Sequence, residues 1–166
     1  GFPVGHPLAE VHDLAAHPWP DPDDERITGP IVAGAAGFDG DDGFLIGSHR
    51  DLLWERAHMM LGTERAMTAM LEDPAFMHDF FRRVADFHLA IAAQYVRAGV
   101  EVASFAEDLG AQAGPLLGPR LVDEFLVPEY RRIFGFYRSR DVLISLHSCG
   151  CIESLLDTFM DLGVDV

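Results

Sequence analysis

The sequence predicts an α/β fold in which parallel strands alternate with helices, a partial (β/α)8 TIM barrel. Three observations carry that prediction. Strand-length apolar runs and periodic helical segments follow one another as strand, helix, strand, helix, strand at roughly forty-residue intervals, the spacing of βα units rather than of hairpins. The two clearest strands end abruptly in polar residues, Glu107-Asp108-Leu109-Gly110 and His147-Ser148-Cys149-Gly150, and the carboxyl ends of parallel strands are where a barrel places its working residues. Finally, Val164-Asp165-Val166 resembles the opening of a further strand after 166 residues, whereas a full barrel needs ~250. The chain is therefore expected to be part of a longer protein and to supply about half of one barrel domain, with residues 1–30 as a loop-rich connector and 31–166 as βα units.

Within the connector, Pro7 to Ala16 carries Leu8, Val11 and Leu14 at helical spacing and is expected to form a short amphipathic helix. The turn-forming run His17-Pro18-Trp19-Pro20-Asp21-Pro22-Asp23-Asp24 follows. Ile31-Val32-Ala33 is expected to be a short buried strand, with Gly34 to Gly43 a flexible Gly/Asp loop. Arg50 to Leu61 is a helix, and Thr63 caps another that runs to Glu72. Asp73-Pro74 is an N-cap with proline at the first helical position. From there Phe76, Phe80, Val84, Phe87, Ile91 and Tyr95 recur at three- and four-residue spacing as far as Gly99. Val100 to Ala106 is a strand. A helix from Pro119 is kinked near Pro128 and ends around Arg138. Val142 to Leu146 is the next strand, and a helix from Ile152 to Leu162 stops at Gly163.

Composition removes whole classes of function. There are 27 acidic residues against 12 basic ones, a net charge of −15, so a polyphosphate or an anionic leaflet meets like charge and neither nucleic acid nor membrane is an expected partner. All twelve basic residues are Arg, and without Lys the chain holds neither a Walker A loop nor a Schiff-base lysine. No run approaches the ~18 apolar residues of a membrane span. A cytoplasmic location is expected, because nothing in the composition marks secretion and Cys149 and Cys151 sit too close for a typical structural cross-link.

His147 and Cys149 are two residues apart, so on an extended strand both side chains share a face. Imidazole and thiolate together are half of a tetrahedral zinc site. The remaining candidates are Cys151, Glu107, Asp108 or a residue beyond Val166. Plainer readings stand beside this one: a packed cysteine with a hydrogen-bonded histidine, and Glu107 and Asp108 as capping residues. Adjacent side chains diverge, so at most one of the two carboxylates faces the pocket. His6, His12 and His17 are expected to be solvated, and Met59-Met60 and the phenylalanine stripe to be core.

Ala103-Ser104-Phe105-Ala106-Glu107-Asp108-Leu109-Gly110, Leu146-His147-Ser148-Cys149-Gly150 and Gly163-Val164-Asp165 resemble the uroporphyrinogen decarboxylase superfamily. Leu116-Leu117-Gly118-Pro119, Glu124-Phe125-Leu126-Val127-Pro128, Tyr130-Arg131-Arg132-Ile133 and the connector His17 to Asp24 are similar to it as well. The resemblance implies a (β/α)8 barrel and one of two chemistries. One branch decarboxylates a tetrapyrrole in porphyrin biosynthesis as a cofactor-free lyase. The other moves a methyl group between a corrinoid protein and a thiol such as coenzyme M, held on zinc by a His-x-Cys pair and a distant Cys. His147 and Cys149 match the first two ligands. The third would lie beyond Val166, and Cys151 departs from the family pattern in a way that offers a substitute. Glu107 or Asp108 would ligate the metal or orient the thiol. The His-x-Cys pair favours the methyltransferase branch, with a corrinoid protein and a small thiol as partners. A tetrapyrrole decarboxylase is the alternative, and a non-catalytic half-barrel that pairs with itself or another chain is a third reading.

Overall fold

In the computed structural model, which describes residues 5–40 and 43–166, three short strands form one parallel sheet in the order β1-β2-β3. They are β1 (Ile46–His49), β2 (Val102–Ala106) and β3 (Leu143–His147). Ile46 pairs with Val102 and Val102 with Leu143, and the register runs unbroken to Ala106 opposite His147. The parallel alternation of strands and helices is the one the sequence predicts. Residues 1–4 of the expected connector and 41–42 of the expected Gly/Asp loop lie outside the described residues.

One face of the sheet is covered by helices, because alternate residues point to opposite sides. Gly47 and His49, Ala103 and Phe105, and Ile144 are buried under them. The other face carries Ile46, Val102 and Leu143 in one row and Ser48, Ser104 and Ser145 in the next. The helical layer is dominated by α4 (Pro74–Arg97), which buries Met77, Phe80, Phe81, Val84, Ala85, His88, Ile91 and Ala92. Asp73 caps it, accepting the Phe76 N–H at 3.2 Å, and Gly99 ends it in the left-handed region at φ 83°. α6 (Val127–Arg138) lies against α4 and buries Tyr130, Ile133, Phe134 and Tyr137. Before it come α5 (Pro119–Leu121) and a π-helical segment (Val122–Leu126), where the Val127 N–H reaches back to the Val122 carbonyl. Pro128 explains the irregularity, since it has no N–H to offer the preceding turn.

Several expectations are corrected. Ile31-Val32-Ala33 is not a strand but part of α1 (Glu25–Ala36), a surface helix with no buried residue, started by the Asp24 side chain accepting the Arg26 N–H at 2.8 Å. The connector therefore does not extend to residue 30. The first strand is β1, where the sequence reading placed none. Pro7 to Ala16 is a pair of turns and a 3-10 turn (Leu14–Ala16) rather than an amphipathic helix. The helix expected from Arg50 starts four residues later as α2 (Trp54–Leu61), and α3 (Thr63–Glu72) has Gly62, not Thr63, at its cap position. The last helix is a 3-10 turn (Glu153–Leu155) running into α7 (Leu156–Asp161). After it the chain returns to the sheet: the Val166 N–H donates to the Ile144 carbonyl at 3.1 Å and the Leu146 N–H to the Val166 carbonyl at 2.8 Å. That is the hydrogen bonding of an incipient fourth strand.

Candidate metal centre

The β2–β3 ladder continues past the strands and pins the loops that follow them. The Glu107 N–H donates to the His147 carbonyl at 3.0 Å, Gly110 to Cys149 at 3.1 Å and Cys151 to Ala111 at 2.8 Å. Side chains add two more ties. Asp108 Oδ1 accepts the Cys149 N–H at 2.8 Å, and Ser148 Oγ accepts the Leu109 N–H at 3.0 Å. The two backbones approach so closely that a Cβ on Gly110 would lie 2.4 Å from the Cys149 oxygen, and one on Gly150 only 2.3 Å from the Gly110 oxygen. Gly150 also has φ 78°, where a side chain is strained regardless of space. Both glycines are therefore required by the contact.

This clamp brings three chemically competent groups together. Asp108, His147 and Cys149 each present one ligand atom, and all lie within 4.8 Å of one another. His147 Nε2 stands 3.2 Å from Cys149 Sγ and 3.6 Å from Asp108 Oδ1. The edges of a tetrahedron with metal bonds of 2.0–2.3 Å are ~3.5 Å, so the donor set and its spacing fit zinc. Asp108 is half-buried, while His147 and Cys149 are exposed on the open side. The Asp108 carboxylate beside the Cys149 thiol holds its pKa above the ordinary value, with desolvation and the Glu55 charge adding to the effect. A bound cation would reverse that balance, since thiolate is the ligating form.

Glu107 has a different place. It is fully buried and faces away from the cluster into the junction of β2, α2 and α6. Its carboxylate accepts the Leu53 N–H at 2.8 Å, the Trp54 N–H and the Tyr130 hydroxyl at 3.0 Å. Burial pushes its pKa up to about 8, against the opposing pull of those three donors. The expected catalytic pair thus separates: Asp108 joins His147 and Cys149, and Glu107 anchors the start of α2. Cys151 does not enter the cluster; it is half-buried and bridges through its backbone to Ala111.

Sequence reasoning missed a second polar group. On the helix side, His49 Nε2 lies 2.6 Å from the Tyr137 hydroxyl and His49 Nδ1 lies 3.0 Å from His88 Nδ1. His49 stacks on Phe105 with centroids 4.9 Å apart. Desolvation, with its partner's charge, drives the His49 pKa well down; desolvation, reinforced by the Arg56 charge, brings His88 to about 4. Both imidazoles are therefore neutral at pH 7. The three side chains thus bond one another in one buried run, from Tyr137 through His49 to His88. Of the three histidines expected to be solvated, His12 is exposed; His6 bonds the Met59 carbonyl at 2.9 Å, and His17 packs edge-on against Trp19.

Residues 54–166 match the profile of the family described as uroporphyrinogen decarboxylase (URO-D). Among solved structures, a methyltransferase from Methanosarcina mazei superposes with a TM-score of 0.74 over 97% of this chain at 20% identity. The chain spans about half of that protein, 47% of its length. No curated protein sequence matches. Among the described residues no helix is long and apolar enough to cross a membrane.

Proposed function

The chain belongs to the uroporphyrinogen decarboxylase family, and from that premise we propose that Asp108, His147 and Cys149 hold a zinc ion at which a small thiol accepts a methyl group from a corrinoid protein. The observation that carries this reading is the convergence of a carboxylate, an imidazole and a thiol within 4.8 Å at the carboxyl ends of two adjacent parallel strands. The structural likeness to a methyltransferase supports the barrel fold that both chemistries share.

When bound, zinc would act as a Lewis acid that keeps the acceptor thiol deprotonated near neutral pH. The chain's own residues prepare that role. The Asp108 side chain is fixed by the Cys149 N–H, and the Gly110–Gly150 contact fixes the distance between the two loops. His147 and Cys149 remain open to solvent on the face where an acceptor and a methyl-carrying partner would enter. A donor set of this kind supplies three protein ligands and leaves the fourth position to the thiol.

The decarboxylase alternative demands several cationic groups to hold a polycarboxylate. Glu55, whose charge reaches Cys149, itself feels the acids Asp108 and Asp51 against Arg50 and Arg56, so among the described residues this neighbourhood supplies no excess of positive charge for such a substrate. The deciding experiment is metal analysis after dialysis. Wild-type protein is expected to keep about one zinc per chain, Cys149→Ser and His147→Ala to lose it, Asp108→Asn to bind at least ~10-fold more weakly, and Cys151→Ser to behave as wild type. Wild-type protein that binds no zinc, or that turns over uroporphyrinogen metal-free, would overturn the proposal.

A further inference from the structure

A cavity of about 450 Å3 shares no residue with the metal centre. Its walls are apolar: Trp19 and Pro20 of the N-terminal segment, Ile27 of α1, Met60 of α2, and Val84 and Phe87 of α4. The indole is set in place before any ligand arrives. Trp19 Nε1–H donates to the Leu14 carbonyl at 2.8 Å, and its ring tilts against Phe80 with centroids 6.1 Å apart. A volume of this size lies within the ~300–1,000 Å3 of small-molecule sites and accommodates one or two fused rings. A tetrapyrrole is far too large for it.

The polar lining decides the charge of the occupant. Arg56 and His88 reach the cavity, and among the described residues no carboxylate lines it, in a chain with 27 acidic residues. His88 is committed to His49. Arg56 is ion-paired with Asp51 at 3.7 Å, and among the described residues its guanidinium makes no direct hydrogen bond, so its N–H donors remain open. The Arg56 side chain is 36% exposed, so it offers a planar fork of donors at the rim of an apolar chamber. That arrangement suits a bidentate carboxylate. A single guanidinium already shared with Asp51 disfavours a dianionic phosphate in a chain of net charge −15.

We propose that this cavity binds a small aromatic monocarboxylate, its rings against Trp19 and Phe87 and its carboxylate on Arg56. The site is independent of the zinc reading and would stand if that reading failed.

Calorimetric titration with 2-naphthoate, and with neutral 2-naphthamide as its uncharged counterpart, tests the proposal on the intact protein. Saturable one-to-one binding of the naphthoate is expected, with the amide at least about tenfold weaker. Arg56→Gln should weaken the acid by about tenfold or more and leave the amide unchanged. Ile27→Trp, placed on a helix with no buried residue, should block both by filling the chamber without disturbing the core. Absence of saturable naphthoate binding, equal affinity for acid and amide, or undiminished binding by Ile27→Trp would each overturn it. The acid–amide comparison on wild-type protein decides the matter even where Arg56→Gln fails to fold.

Discussion

A carboxyl group taken fully out of water depends on the donors the chain brings to it, and Glu107 receives three, from Leu53, Trp54 and Tyr130. Leu53 and Trp54 supply first-turn amides of α2, a helix whose own cap residue offers no side-chain bond, so Glu107 caps it from another strand. Glu107→Ala would leave those amides buried and unpaired. It is expected to destabilise the fold by about 3 kcal/mol, and Glu107→Gln, which keeps one acceptor oxygen, by about 1–2 kcal/mol. Urea unfolding at pH 7 measures both. At the adjacent position Asp108→Asn should move stability by less than ~1 kcal/mol while lowering zinc affinity. Equal loss of stability at the two positions would refute the division of roles. His147, Cys149 and the participation of one carboxylate were legible from strand ends and spacing. Which carboxylate follows from the alternation of the strand: Ala103 and Phe105 are the buried positions of β2, and Glu107 continues that row. The His49–His88–Tyr137 set was not legible, because its members lie 39 and 88 residues apart along the chain and meet only through tertiary packing.

Whole elements differ in how plainly local chemistry announces them. α4 is announced by a cap, a proline, a long apolar stripe and a terminal glycine, and each of these signals points to the same structure. The stripe itself was offset, since Met77, Phe81 and His88 are buried where Phe76, Phe87 and Tyr95 are only partly so. β1 is the opposite case. Its residues Ile46-Gly47-Ser48-His49 have little strand propensity, and what holds them extended is pairing with β2. Ile31-Val32-Ala33 has the propensity but follows the Asp24 cap, and helix wins. The two loops of the metal centre are set by neither propensity nor periodicity but by backbone contact at Gly110 and Gly150. Gly110→Ala forces backbone against backbone, with no flexible side chain to yield. A loss of about 1–3 kcal/mol is expected, together with zinc affinity reduced relative to wild type in the fraction that folds. Chemical denaturation and metal titration on the same preparation check this, and an alanine variant with native stability and native zinc binding would show that the loops do not set the site.

At the scale of the whole molecule, the His49–His88–Tyr137 set ties the sheet to both long helices, since its members sit on β1, α4 and α6. Tyr95 packs edge-on against His49, and Arg56 is the cation that adds to the burial of His88. Protonating the set means placing charge where Phe105, Tyr137 and the helices exclude water, so the folded state resists it. An unfolded imidazole takes its proton near pH 6.5, whereas His88 in the fold waits until about 4. Across that window the unfolded chain binds more protons, and stability must fall as the pH falls from 6.5 toward 4. The depression of His88 from 6.5 to about 4 corresponds to about 3 kcal/mol by the low end of the window. Paired carboxylates also titrate in acid, so the comparison has to be internal. The triple variant His49→Phe, His88→Leu, Tyr137→Phe removes together the three side chains that bond one another, so the change of stability with pH, and not its value at pH 7, is what is compared. Between pH 7 and pH 4.5 the parent is expected to lose about 2–3 kcal/mol more than this variant, read as diverging urea midpoints. Parallel curves would mean that the histidines titrate normally inside the fold and that the neutral chain from Tyr137 to His88 is not what joins sheet to helices.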